Sequence, residues 1–227
     1  NMNRAHRDRI AFLRICSGRF ERGAQYYHVQ GGREIKLSQP QQMMAQERAV
    51  IDEAFAGDII GVFDPGIFSI GDTVCDPEMR VRFEGIPTFA PEIFVLVEQI
   101  DSMKRKQFAK GMNQIAQEGV IRIFCEPGGG LERVYVGVVG ELQLDVLESR
   151  MKSEYNVEYR RYAQPYQYIK RVPAGVDPAA LKLYEVKWVQ DFRGANYLLF
   201  PTPWHITHTL EHNEGLELID YGDKADV

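Results

Sequence analysis

The chain has 227 residues, of which 44% are hydrophobic and 26% are charged, a balance typical of globular proteins rather than disordered ones. It has no run of about 18 apolar residues and no apolar signal segment near its start, and its three cysteines are widely spaced, so we expect a cytoplasmic protein without a membrane partner. The net charge of −5 is unevenly spread: the first 22 residues contain six arginines and two acids, whereas residues 173–227 contain 4 basic and 9 acidic residues. A local basic stripe is typical of a phosphate-binding surface, or simply of a solvated strand face.

Residues 1–84 predict a β-barrel, because short apolar runs alternate with turn residues. Ile10–Ile15 and Asp58–Phe63 have the composition of strands, and Gly31 with Gly32 marks a two-residue hairpin turn. Many short strands at this spacing are typical of a closed or nearly closed barrel, which leaves no sheet edge exposed.

Residues 85–163 follow the order β-α-β-β-α-β, which predicts a ferredoxin-like (split βαβ) α+β domain. The first helix is expected to begin near Asp101 and to end at Gly119, and the second to span about 140–155. Helical spacing predicts that these two helices bury Met103, Phe108, Met112, Ile115, Leu144, Leu147 and Met151.

Residues 164–227 predict a small α+β C-terminal extension packed on the preceding domain. A hairpin is expected to turn at Arg193 and Gly194, and Thr202 is expected to cap a short helix. Earlier in the chain, Gly85–Glu92 contains two prolines, which predicts a short stiff hinge between the first two domains.

One motif in the extension is typical of metal chemistry. His208, Glu211 and His212 match the H-x-x-E-H signature of inverted zincins, in which two histidines bind Zn²⁺ and the glutamate is the general base. His205 lies at a neighbouring position. The opposing interpretation is a surface helix that is rich in histidine by chance, because motifs of this length often match without function. A zinc hydrolase is therefore an alternative hypothesis.

The sequence contains no nucleotide-binding motif, because neither G-x-x-x-x-G-K-[ST] nor G-x-G-x-x-G occurs in it. Pro127–Gly130 is rich in glycine, but a strand-like segment, Arg133–Val138, follows it. A phosphate loop needs a helix at that place, so we interpret Pro127–Gly130 as a hairpin turn. We expect no catalytic, cofactor-binding or metal-binding residue in this chain, and therefore no enzymatic activity of its own.

Cationic side chains are the remaining candidates for a functional surface. Phosphate binding needs a local basic surface and no acidic catalyst. Charge clustering gives the RNA-contact candidates Arg14, Arg19, Arg22, Lys104, Arg105 and Lys106. The aromatic residues are mostly at apolar strand positions, so they are interpreted as core.

Several segments are similar to known translation factors. Within the predicted barrel, three segments resemble the second domain of translational GTPases, which is a β-barrel: Gly18–Gly23, Glu53–Gly61 and Ile70–Thr73. Three later segments resemble the bacterial peptide chain release factor 3 family: Phe83–Glu92, Lys104–Gly111 and Val136–Glu158.

The resemblance implies the C-terminal part of a GTPase that binds ribosomes and drives class I release factors off after termination. GTP or GDP with Mg²⁺ would bind an N-terminal domain that this sequence does not contain, and that domain would be a partner of this chain. The other implied partners are small-subunit RNA and a small-subunit protein, with no DNA. Two further alternatives are a truncated elongation or ribosome-protection factor, and a stand-alone RNA- or protein-binding module.

Overall fold

The computed structural model describes residues 9–37, 41–44, 47–84 and 88–222. The chain divides into two compact units, Asn1–Ile86 and Pro87–Val227. The predicted hinge falls partly on residues 85–87, which lie outside the described residues. Within the described ranges, no helix has the length and apolar character needed to cross a membrane.

The first unit is built from short antiparallel strands. In its described residues these are β1 (Arg9–Arg14), β2 (Arg19–Glu21), β3 (Gln25–His28), β4 (Arg33–Lys36), β5 (Gln41–Met44), β6 (Glu47–Val50), β7 (Glu53–Phe55), β8 (Ile59–Asp64) and β9 (Val74–Cys75). They form three sheets, with the orders β1-β8-β5-β6, β2-β7 and β4-β3-β9. The predicted hairpin at Gly31 and Gly32 is confirmed, because β3 and β4 pair across it.

The strands of the first unit enclose one core without closing into a single barrel in the described residues. Six buried side chains form this core: Phe20, Leu37, Ala54, Ile60, Val62 and Phe68. The strands are short because tight turns interrupt them; β2, for example, has three residues and lies between Gly18 and Gly23, both with positive φ. The sequence therefore predicted a sheet-rich unit correctly, whereas the expected closed or nearly closed barrel is replaced, over the described residues, by three separate sheets.

Buried polar side chains fix the loops of the first unit. Asp64 at the end of β8 is buried, and its Oδ1 accepts the backbone N–H groups of Gly66 and Ile67 at 2.8 Å and of Phe68 at 3.3 Å. His28 at the end of β3 is also buried, and its Nε2 lies 2.8 Å from Oδ2 of Asp72. These contacts hold the loop between β8 and β9 against the core.

The second unit contains two four-stranded sheets and three helices in its described residues. Its elements are β10 (Ile93–Gln99), α1 (Arg105–Gln117), β11 (Arg122–Phe124), β12 (Arg133–Val138), α2 (Glu141–Tyr155), β13 (Tyr159–Ala163), β14 (Tyr168–Arg171), β15 (Lys187–Gln190), β16 (Asn196–Phe200), α3 (Pro203–His212) and β17 (Ile219–Asp220). The sheet orders are β11-β12-β10-β13 and β15-β16-β14-β17. The predicted turn at Pro127–Gly130 is confirmed, since it joins the antiparallel pair β11 and β12.

Helices α1 and α2 pack on one face of the first of these sheets. The predicted burial of Phe108, Met112, Ile115, Leu144, Leu147 and Met151 is confirmed. Met103 is an error of that prediction, because its exposed fraction is 87%. It lies in a 3₁₀ turn, Ser102–Lys104, that precedes α1, and the tighter turn takes it out of the 3.6-residue period.

The opposite face of the same sheet packs against the second sheet. Phe94, Leu96, Phe124 and Tyr135 from the first sheet form one cluster with Ile169, Val189, Tyr197 and Leu199 from the second. Cys125 and Gln190 exchange two backbone hydrogen bonds of 2.8 Å, which joins the two layers at one edge. The second unit is thus a stack of helices, sheet and sheet, with apolar cores between the layers.

The last described residues of the second unit return to its first ones. Tyr221 contacts the rings of Phe124 and Tyr197, at centroid distances of 6.4 and 5.7 Å. The next residue, Gly222, lies so close to Thr88 that an added Cβ would be 2.7 Å from the Thr88 carbonyl oxygen. The chain therefore enters and leaves this unit at one place.

Candidate functional site

Two of the three arginine candidates in the first unit are paired with carboxylates. Arg19 Nη2 lies 2.5 Å from Oε2 of Glu53, and its Nε lies 3.4 Å from Oε1 of Glu21. Arg22 Nη1 donates a hydrogen bond of 3.2 Å to Oδ1 of Asp52. The antiparallel pairing of β2 with β7 places Glu53 across from Glu21 and so brings both acids near the arginines. The charge of Arg19 and Arg22 is thus partly offset.

Such exposed pairs would not prevent a phosphate from binding the arginines. Both arginine side chains are about half exposed, and ion pairs of this kind contribute only ~0–1 kcal/mol of stability. A phosphate can therefore replace either carboxylate at small cost. The phosphate contact would also be charge-assisted, which makes it stronger than a neutral hydrogen bond.

Arg14 differs from the other two because no acidic partner faces it among the described residues. It is exposed at the end of β1, opposite Ile59 of β8. The outward positions of these strands also carry Phe12 and Phe63, and these two rings and Ile59 are all exposed. Arg14 therefore stands at the border of an apolar sheet face.

The cationic cluster of the second unit surrounds the start of α1. Lys104 Nζ donates a 2.7 Å hydrogen bond to the carbonyl oxygen of Asn156, and Arg105 forms an ion pair with Glu132. Lys106 is exposed and faces no acid in the described residues, and Lys110 lies one helical turn further along. Lys106 and Lys110 are the most available cations of this cluster.

The geometry gives the zinc hypothesis no support. The rings of His208 and His212 are stacked at 4.0 Å, and His212 Nδ1 lies 2.9 Å from the His208 carbonyl oxygen, so this nitrogen is engaged with backbone. His205 is engaged by Thr202 Oγ1 at 2.9 Å and by Glu185 at 3.4 Å. Over the described residues, no three His, Cys, Asp or Glu side chains are placed together to hold a metal ion.

The displaced pKa values in the second unit have structural causes. Hydrogen bonds donated to Glu154 and Glu118 raise the pKa of Arg150, whose guanidinium joins the ends of α1 and α2. A hydrogen bond from Lys187 lowers the pKa of the Glu126 carboxyl, and this pair links the two sheets. These pairs hold elements together, and they supply no proton donor and acceptor around a common cleft.

Sequence reasoning missed a partly exposed row of rings formed by α3 and by a tyrosine that precedes β15. We call Tyr184, Trp204, His208 and His212 the α3 ring face. Trp204 and His208 have ring centroids 4.8 Å apart, and Tyr184 lies 5.8 Å from His208. The signal was present in the sequence, since positions 204, 208 and 212 are spaced by four residues and so share one helix face.

Comparisons with known proteins agree with the fold. Residues 83–210 match the family model described as class II release factor RF3, C-terminal domain, and residues 1–77 match elongation factor G domain 2. The crystal structure of ttk003000868 from Thermus thermophilus has a TM-score of 0.56 over 83% of this chain and 27% of its own, at 18% identity, which shows a shared fold.

Curated relatives are more similar in sequence. Peptide chain release factor 3 of Symbiobacterium thermophilum is 49% identical over 95% of this chain, and that of Gloeothece citriformis is 38% identical over 96%. This chain spans 41% of the length of each. A match of this extent favours neither a zinc hydrolase nor a truncated elongation or ribosome-protection factor. The chain belongs to the peptide chain release factor 3 family and contains its C-terminal domain.

Proposed function

We propose that this chain is the ribosome-docking region of a release factor 3-type GTPase, which promotes the departure of class I release factors after translation termination. The observation that carries this proposal is the match of residues 83–210, together with 49% identity over 95% of the chain to a protein named peptide chain release factor 3. The site of action would be the cytoplasm, where ribosomes translate.

Nucleotide chemistry is assigned in this proposal to the rest of the parent protein. GTP or GDP with Mg²⁺ would bind an N-terminal domain, which would also be an intramolecular partner of this chain. The sequence has no phosphate loop, and the described residues form no metal-ligand cluster. The residues of this chain therefore do not fit a guanine nucleotide with Mg²⁺. The exposed apolar face around Phe12 and Phe63 is a surface that such a domain could cover.

The proposed architecture has three parts. Residues 1–84 would be a barrel-type domain like elongation factor G domain 2, which the family match over 1–77 supports. Residues 85–163 would be a ferredoxin-like domain, because the strand order β11-β12-β10-β13 with two helices on one face is that of a split βαβ fold. Residues 164–227 would be an extension, supported by the apolar cluster shared by the two sheets.

Docking in this proposal is electrostatic and directed at small-subunit RNA, with a small-subunit protein as a further contact. Arg14 and Lys106 are the best candidates, because both are exposed and face no acid among the described residues. Arg19, Arg22, Lys104 and Arg105 would each have to exchange an existing partner for a phosphate. Each phosphate contact releases counterions, so binding should weaken steeply as salt rises.

The test is cosedimentation of the 227-residue chain with purified ribosomes over a range of salt concentrations. Arg14→Glu and Lys106→Glu should each weaken binding about 5- to 10-fold and reduce the salt slope by about one. Lys182→Glu is the matched control, because Lys182 is exposed in the same unit as Lys106 and is not one of the candidate contacts. Absence of binding at low salt, or equal losses in all three variants, would contradict the proposal.

A further inference from the structure

The two largest rings of the α3 ring face are exposed although they are aromatic. Trp204 is 56% exposed and Tyr184 is 53% exposed, and their rings meet edge to face at 6.3 Å. Large aromatic side chains stabilise a protein most when they are buried in the core. Two of them that are exposed to solvent and contact each other therefore form an unusual surface. The rings of His208 and His212 extend this surface along the helix.

The fold does not need these rings for packing. Helix α3 faces its own unit through Thr209, which is fully buried, and through Ile206, which packs on the cluster of Val172, Leu198 and Phe200. At about 100° per residue, Trp204 and His208 are turned at least about 100° away from Thr209 and Ile206, and His212 lies at the edge of their face. The ring face is therefore additional to the core.

Carboxylates border the ring face. Glu185 follows Tyr184 directly and lies 3.4 Å from His205 Nε2. Glu211 lies on the helix within about 20° of Trp204 around the axis, so its exposed carboxylate shares this face. The surrounding segment, residues 173–227, has 4 basic and 9 acidic residues. These carboxylates repel phosphates, so a nucleic acid is disfavoured here although aromatic rings can stack on bases.

We propose that the α3 ring face docks a basic protein segment that contains arginine. A guanidinium stacks on the faces of Trp and Tyr rings, and this attraction is strongest for Trp. The same planar group forms paired hydrogen bonds with carboxylates, which Glu185 and Glu211 supply at the border. An arginine side chain therefore meets both features of this surface, whereas an uncharged apolar segment would meet only the rings.

The experiment measures binding of the 227-residue chain to a fluorescein-labelled octapeptide that alternates arginine and glycine, by anisotropy in about 0.15 M salt, which screens distant charges. The controls are the lysine–glycine peptide of equal charge and an eight-nucleotide oligouridylate. We expect saturable binding of the arginine peptide, and at least about 5-fold weaker binding of the lysine peptide, because lysine lacks the planar group.

Variants locate the binding surface. Trp204→Ala should weaken the arginine peptide about 10-fold, while Tyr184→Ala and Glu211→Gln should weaken it about 3- to 5-fold. Phe192→Ala is the matched control, since Phe192 is as exposed as Tyr184 in the same unit, and its binding should stay within about twofold of the parent chain. Far-ultraviolet circular dichroism confirms that each variant is folded.

Three results would overturn the proposal: no saturable binding of the arginine peptide, equal affinity of the parent chain and all three ring-face variants, or binding of oligouridylate in place of the peptide through Trp204. If Trp204→Ala did not fold, Tyr184→Ala and Glu211→Gln would still decide the question. The inference does not depend on the proposed ribosomal role, and no ribosome enters its test, so either proposal can fail alone.

Discussion

The two units stabilise their folds by different means. In the first unit, three polar side chains are buried among the described residues, His28, Asp64 and Thr73, around a core of six apolar ones. In the second unit, Thr209 is the one buried polar side chain described, and three apolar clusters separate its layers. The smaller unit therefore relies more on buried hydrogen bonds.

The difference follows from how the buried backbone groups of each unit find hydrogen-bond partners. Every buried N–H and C=O group needs a partner, and strands or helices of useful length supply it themselves. The first unit has strands of two to six residues, so much of its backbone is in turns. Asp64 and Asp72 supply acceptors for those turns. The second unit has helices of up to 15 residues and needs fewer such side chains.

The largest effect should come from the apolar layers of the second unit. Leu147 on α2 is fully buried between helices and sheet, so Leu147→Ala should lower the free energy of unfolding by about 2–5 kcal/mol. Tryptophan fluorescence during urea unfolding reports on this unit, because both tryptophans, Trp188 and Trp204, lie in it. Leu142→Ala, on the same helix but 78% exposed, should change it by less than about 0.5 kcal/mol.

In the first unit the corresponding sensitive residue is polar. Asp64→Ala removes the acceptor of three backbone N–H groups and should destabilise the unit by about 1–3 kcal/mol. Hydrogen exchange of the amides of residues 66–68 should accelerate correspondingly. Asp76→Ala is the control, because Asp76 accepts one N–H in an exposed turn. Equal protection in both variants would refute the role assigned to buried loop acceptors.

The second unit also contains one partly buried polar network, which tests whether polar side chains contribute to its stability as well. Arg150 is about one-fifth exposed and donates to both Glu118 and Glu154. Arg150→Met should cost about 1–2 kcal/mol, because two neighbouring carboxylates lose their shared donor. The urea transition should show a smaller loss in about 1 M salt, because screening weakens the repulsion between those carboxylates. Lys152→Met, on the exposed side of α2, should be neutral; a matching loss there would mean that the network contributes nothing specific.

The smallest expected effect is pH-dependent. Lys187 lowers the pKa of the Glu126 carboxyl in the folded state, so their pair stabilises the protein above the ordinary glutamate pKa. This contribution is lost as pH falls through the lowered pKa of Glu126. Both side chains are partly exposed, so the contribution is below about 1 kcal/mol.

Glu126→Gln should therefore reduce stability at neutral pH, and the loss should be smaller at an acid pH, because the parent pair weakens as pH falls through the lowered pKa of the carboxyl. Thermal unfolding of the second unit at both pH values measures the difference. Glu217→Gln, an exposed acid in the same unit, is the control and should show no such change. A loss from Glu126→Gln that persisted in acid would show that packing, and not charge, is responsible.

Local patterns predicted much of the fold. The Gly31-Gly32 hairpin and the apolar stripe of α2 are properties of neighbouring residues, and both are confirmed. The surroundings of Arg19 and Arg22 were not predictable in this way. Their acids, Glu53 and Asp52, lie about 30 residues away, and only the pairing of β2 with β7 brings them close.

The α3 ring face shows a second limit. Hydrophobicity assigns a tryptophan to the core, but the position on the helix decides whether it is buried. In α3 the buried side is taken by Ile206 and Thr209, so Trp204 faces solvent. The predicted burial of Met103 was wrong for a related reason, because this residue lies in a 3₁₀ turn and so does not follow the period of the α-helix.

The contact between Gly222 and Thr88 makes the second unit a candidate for rearranged connectivity. When two ends of a compact unit are adjacent, a short linker can join them, and the chain can be reopened elsewhere without breaking the core. The exposed turn at Pro127–Gly130 is a natural place for new ends. A circularly permuted second unit would then keep its layers while β11 and β12 became its terminal strands. For the same reason, the unit as a whole could be inserted into a surface loop of another protein.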